Sequence, residues 1–62
     1  MTNYVLFKEF GKYCLTNEEN YNRQIRNDCE VMKFTNVSSR YECLLTLHKL
    51  GYKKSIIDKT GE

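Results

Sequence analysis

Four side chains carry the reactive chemistry this sequence offers: the thiols of Cys14, Cys29 and Cys43 and the imidazole of His48. Three cysteines and a histidine are an acceptable ligand set for a structural zinc ion, which takes four N or S donors in a tetrahedron. The spacing argues against it. Such sites draw their ligands in close pairs, and the one close pair here, Cys43 and His48, is five residues apart, about 140° around a helix and off a common face. A cysteine–histidine nucleophile meets a related obstacle. His48 falls beside Leu44 and Leu45 on an apolar stripe, where a neutral, hydrogen-bonded histidine is the commoner occupant. No glycine-rich phosphate loop is present, and Gly11 stands alone. These residues predict a non-enzymatic protein with no catalytic residue, cofactor or metal, whose cysteines are small buried side chains. Their odd number, without a secretory leader, predicts reduced thiols and a cytoplasmic location.

Charge narrows the partners. Ten Lys and Arg against eight Asp and Glu give a formal net charge of +2, with the two signs interleaved along the chain. That excludes a DNA mimic, which needs a strongly acidic surface. It falls short of a dedicated nucleic-acid binder as well, since the isoelectric point of about 8.5 lies under the value of about 9 usual for such domains. Tyr21, Arg23, Arg26, Lys33, Arg40, Lys53 and Lys54 would be the residues of a nucleic-acid surface, but Glu18, Glu19, Asp28 and Glu30 are interspersed with the first of them. Tyrosine and arginine are also favoured as anchors at protein interfaces. Tyr21, Arg23, Arg26 and Tyr52 are accordingly the candidate partner-binding residues.

The elements that must position these residues follow from pattern. Hydrophobic residues make up 40% of the chain and charged residues 29%, which predicts a folded domain rather than a disordered one. Tyr4-Val5-Leu6-Phe7-Lys8-Glu9-Phe10, rich in aromatic and branched residues, runs through Gly11-Lys12 into Tyr13-Cys14-Leu15-Thr16, and a β-hairpin is the economical solution. Val5 and Phe7 point one way and Tyr4, Leu6 and Phe10 the other, so both faces are partly apolar and call for cover on both sides. From Asn17 to Asp28 two outcomes compete. Thr16-x-x-Glu19 has the form of a capping box, and Tyr21 with Ile25 would put one apolar stripe on a short helix; the rival is a polar strand from Tyr21 to Arg26. One or two helical turns is the preferred outcome. Cys29 to Thr35 is a third strand, with Met32 and Phe34 opposite Val31.

A helix follows, opened by the capping box Ser39-x-x-Glu42 and stopped after Leu50 at Gly51, with Tyr52 placed to touch Leu47. Lys49 in its last turn suits the negative end of the helix dipole. Ile56-Ile57 forms a short edge strand or packs down. The fold class is therefore α+β: a small antiparallel sheet of three or four strands with one C-terminal helix packed on it, in a single domain spanning 1–62. No apolar run approaches the roughly 20 residues a bilayer span requires. Tyr41, Leu44, Leu45 and His48 cluster on one side of the helix, and Cys43, Leu47 and Leu50 extend it into an arc wider than one sheet contact needs. A chain of 62 residues buries only about 60% of the surface its unfolded form exposes. A homodimer would cover the remaining arc, with Cys43, Leu47 and Leu50 as candidate self-association residues.

The succession Tyr4-Val5-Leu6-Phe7, Gly11-Lys12-Tyr13, Val31-Met32-Lys33-Phe34 and a capped helix from Ser39 to Gly51 resembles very small phage and prophage proteins built from a hairpin, a strand and a helix. The abundance of Asn, Lys and Tyr fits a low-GC bacterial or phage genome. The resemblance implies a stand-alone accessory protein that binds and inhibits a host protein in the bacterial cytoplasm, in the manner of antagonists of bacterial defence systems, anti-CRISPR proteins among them. It supplies no site. The alternatives are a small nucleic-acid-binding regulator and a nucleotide-sequestering protein whose pocket forms between protomers.

Overall fold

The computed structural model describes residues 1–25, 29–52 and 56–60. The hairpin forms as expected. β1 (Thr2–Glu9) pairs antiparallel with β2 (Lys12–Asn17) in the register Val5 with Thr16, Leu6 with Leu15 and Phe7 with Cys14. Glu9 pairs with Lys12, leaving the two-residue loop Phe10-Gly11. Both loop residues have positive φ, 52° and 76°, the form whose twist matches that of the flanking strands. Phe10 thus occupies the turn, 94% exposed, and does not join Tyr4 and Leu6 on the sheet face. That corrects the sequence expectation, which extended strand alternation one residue too far.

A helix, and not the rival strand, follows β2: α1 spans Glu18–Gln24. Its N-cap is Asn17, whose side chain accepts from the Asn20 amide at 2.7 Å, and Glu18 and Glu19 in the first turn suit the positive end of the helix dipole. The Thr16-x-x-Glu19 box does not form. Thr16 belongs to β2, and its buried hydroxyl donates to the Lys59 carbonyl oxygen at 3.2 Å. Tyr21 and Ile25 supply the apolar stripe, with the Tyr21 ring centroid 5.7 Å from that of Phe7.

β3 (Glu30–Val37) pairs antiparallel with the other edge of β1. Between the Leu6–Met32 and Phe7–Glu30 pairs, and again between Thr2–Val37 and Tyr4–Phe34, β3 carries one residue more than β1, a β-bulge each time. Asn36 lies within the second bulge at φ 57°, and its amide donates to Asn3 Oδ1 at 2.9 Å. Asparagine tolerates that left-handed conformation better than most residues do.

α2 spans Arg40–Lys49. Ser39 is its N-cap, but the side chain makes no capping bond, so the expected box is absent. The Ser38 hydroxyl donates to the Glu42 carboxylate in its place. The far end matches expectation in full. Gly51 adopts φ 101°, the Tyr52 amide donates to the Leu47 carbonyl at 3.0 Å and the Gly51 amide to the His48 carbonyl at 3.1 Å, the two bonds of a Schellman motif.

β4 (Ile57–Asp58) pairs parallel with β2, giving the strand order β3-β1-β2-β4. The sheet is therefore mixed rather than antiparallel, and it carries two helices rather than one. Val5, Phe7 and Cys14 pack with Tyr21 of α1 on one face; Leu6 and Leu15 pack with Cys43 and Leu47 of α2 on the other. Besides the Thr16 hydroxyl on the Lys59 carbonyl, the last described segment is tied by Arg40 to Asp58 at 2.9 Å, Lys59 to Glu9 at 2.9 Å, and the Lys59 amide to the Leu15 carbonyl at 2.8 Å.

Candidate interaction surface

The residues singled out as partner anchors do not form one surface. Tyr21 is 2% exposed, its ring spent on the core beneath α1. Arg23 is exposed, and its guanidinium donates to Asn20 Oδ1 one turn back. Tyr52 is half-buried at the end of α2, where its ring meets Tyr13 edge-on at 5.0 Å between centroids, with the Lys8 ammonium 5.4 Å from the Tyr13 centroid. Tyr21 and Tyr52 thus pack against opposite faces of the sheet. Arg26 lies outside the described residues, as do Lys53 and Lys54.

The candidate self-association residues are redistributed as well. Cys43 and Leu47 are fully buried in the intrachain core, which removes them from any free surface, and only Leu50, 57% exposed, remains available. The side of α2 that turns outward carries Tyr41, 64% exposed, Leu45, 44% exposed, and His48. In the sequence all these positions belong to one broad arc. The structure orients it by seating Cys43 and Leu47 on Leu6 and Leu15.

The thiols and the imidazole are dispersed. Cys14 and Cys29 pack in the cluster beneath α1, Cys43 lies beneath α2 on the opposite face, and His48 is exposed. Burial, seconded by the negative charge of Glu42, pushes the Cys43 thiol up to about 11, which keeps it protonated and un-nucleophilic at neutral pH.

An open recess beside the start of α1 is lined by Met1, Thr2, Asn3, Asn17, Glu18 and Glu19. Three of its side chains, Asn3, Asn17 and Glu18, are engaged with one another or with the chain around them. Glu18 takes a 2.7 Å ion pair from Lys33 and a 2.9 Å hydrogen bond from the Asn3 amide, and these, Lys33 first, hold its carboxyl below the usual range. Asn3 presents its carbonyl oxygen to Asn36 and Asn17 its own to Asn20. The recess is the outer side of a cross-link joining β1, α1 and β3.

Phe10 is the surface residue that sequence reasoning missed. A large side chain just before the glycine of a two-residue hairpin loop was the signal for it, because the pairing of Glu9 with Lys12 leaves Phe10 nowhere to go but the tip. Among the described residues no helix is long and apolar enough to cross a membrane. No protein-family model matches the chain, and neither a curated protein nor a solved structure matches it.

Proposed function

We propose that the protein acts by binding another protein, with the β1–β2 turn as the point of contact, and that it inhibits a host protein in the manner of small phage-encoded antagonists. The observation that carries this reading is Phe10. A type I′ loop is served best by Asn, Asp or Gly at its first position, and placing another L-residue in the left-handed region costs on the order of 1–2 kcal/mol. Here that position holds a phenylalanine at φ 52° with 94% of its surface in water. The side chain contributes nothing to the chain's own core and strains the backbone that holds it. Backbone outliers cluster at binding and switch sites, and phenylalanine is enriched in protein interfaces, so a strained and exposed Phe10 fits a partner-binding anchor. Exposed Lys8 and Lys12 flank it along the strands, supplying a polar rim. The inhibitory sense of the contact rests on the resemblance to small phage proteins.

The test is affinity capture from a bacterial lysate with the wild-type chain and Phe10→Asn side by side. The variant relieves the strain, so its melting temperature should rise while one protein band present with wild type disappears. The captured protein, once purified, should lose activity in proportion to added wild-type chain. Capture unaffected by Phe10→Asn would overturn the assignment to the turn. Retention of nucleic acid that collapses with salt and brings down no protein would favour the regulator alternative instead.

A further inference from the structure

The outward side of α2 is a second surface, separate from the hairpin turn, and it is self-complementary. Tyr41, Leu45 and His48 follow one another at spacings of four and three, which on a helix of about 100° per residue stacks them in one stripe. The stripe is exposed, at 64% for Tyr41 and 44% for Leu45. Along one flank of it lie Glu42 in the first turn and Lys49 in the last, seven residues apart and therefore nearly eclipsed down the helix. When two copies of such a helix meet antiparallel about a two-fold axis, residues on the same flank face each other. An axis passing beside Leu45 sets Glu42 of each copy against Lys49 of the other and Tyr41 against His48. A parallel arrangement loses both charge pairs.

We propose that a second copy of this chain covers the outer face of α2, through an antiparallel helix pair centred on Leu45 and bracketed by two reciprocal Glu42–Lys49 contacts. α2 is ten residues and so about 15 Å long, which makes the helix pair smaller than a standard interface of roughly 800 Å² per partner and places the expected association at the weak end of the scale. The surface differs from the one the sequence suggested. Cys43 and Leu47 are buried in the protomer, and Leu50, about 180° from Tyr41 around the helix, falls outside the stripe.

Sedimentation equilibrium or light scattering across concentrations from about 1 µM to about 1 mM should show the mass rising to twice that of the monomer. Leu45→Glu, at an exposed position, should keep its circular dichroism spectrum and lose the dimer. Glu42→Lys should weaken dimerisation at least about tenfold by setting like charges opposite each other. Adding Lys49→Glu to it should restore the affinity, which a structural defect in the helix would not allow. Leu50→Glu and Phe10→Asn should leave the dimer intact, the latter separating this surface from the turn invoked for partner binding. A wild-type chain that stays monomeric throughout, or a dimer indifferent to Leu45→Glu, would overturn the proposal.

Discussion

Phe10 and Cys43 are opposite cases of a side chain whose setting decides its character. Phe10 is apolar and lies in water at the cost of backbone strain. Replacing it by asparagine should therefore raise the unfolding free energy by about 1 kcal/mol, measured by denaturant titration. Cys43 is reactive in principle and is silenced by burial. Because its folded-state value of about 11 stands above the 9.0 it takes unperturbed, the unfolded chain holds fewer protons than the folded one between those limits. Stability contributed by the neutral thiol is fully present below pH 9 and declines as pH rises toward 11. Cys43→Ala should flatten that part of the stability profile while costing some packing against Leu6 and Leu15.

At the scale of the element, the two ends of α2 are specified by different means, and mutation should separate them. Gly51 adopts a conformation that few other residues enter readily, and a Cβ there would meet nothing within 4 Å. The cost of Gly51→Val is thus conformational rather than steric, about 1–2 kcal/mol. Ser39→Ala should cost only a few tenths of a kcal/mol, below the roughly 1 kcal/mol of a working N-cap, because the Ser39 side chain makes no capping bond. Denaturation midpoints of the two variants give the comparison directly. β4 is a different kind of element, two residues held by their surroundings. Thr16→Val removes the hydroxyl that holds the Lys59 carbonyl and should cost about 1 kcal/mol. Faster hydrogen exchange of the Lys59 amide, with the amides of β1 still protected, would locate the loss in β4.

For the molecule as a whole, what could be read from the sequence was whatever is decided locally. The hairpin followed from aromatic and branched residues around Gly11, α1 from the Tyr21–Ile25 spacing, and the stop of α2 from Gly51 and Tyr52. The need for cover on both sides of the sheet was visible in the consecutive apolar residues Val5, Leu6 and Phe7, all three fully buried. What escaped was decided at a distance. Two residues pairing parallel with β2 leave no periodic trace. The orientation of α2 was ambiguous because its apolar positions span so wide an arc that Tyr41 and Leu45 count the same as Cys43 and Leu47, and only Leu6 and Leu15 choose between them. The Thr16 box was lost to the competing demand of β2 for the same threonine, which left Asn17 to cap α1. Tyr21 has the residue type of a surface anchor, and its burial depends on Phe7, fourteen residues earlier in the sequence.

The burial of β1 on both sides bears on how faithfully the chain can find its alignment. In a sheet with one wet face, slipping a strand by one residue exposes every apolar side chain and is rejected at once. Val5, Leu6 and Phe7 offer oil to either side, so a slipped β1 would still meet an apolar layer and the error would be only weakly penalised. The discrimination must then reside outside the hydrophobic pattern, in the closed two-residue loop at one end of β1 and the Asn3–Asn36 latch at the other. These two small polar and strained features act as alignment pins for a strand whose own side chains are nearly indifferent, and loosening both together should open the way to misregistered or strand-exchanged forms.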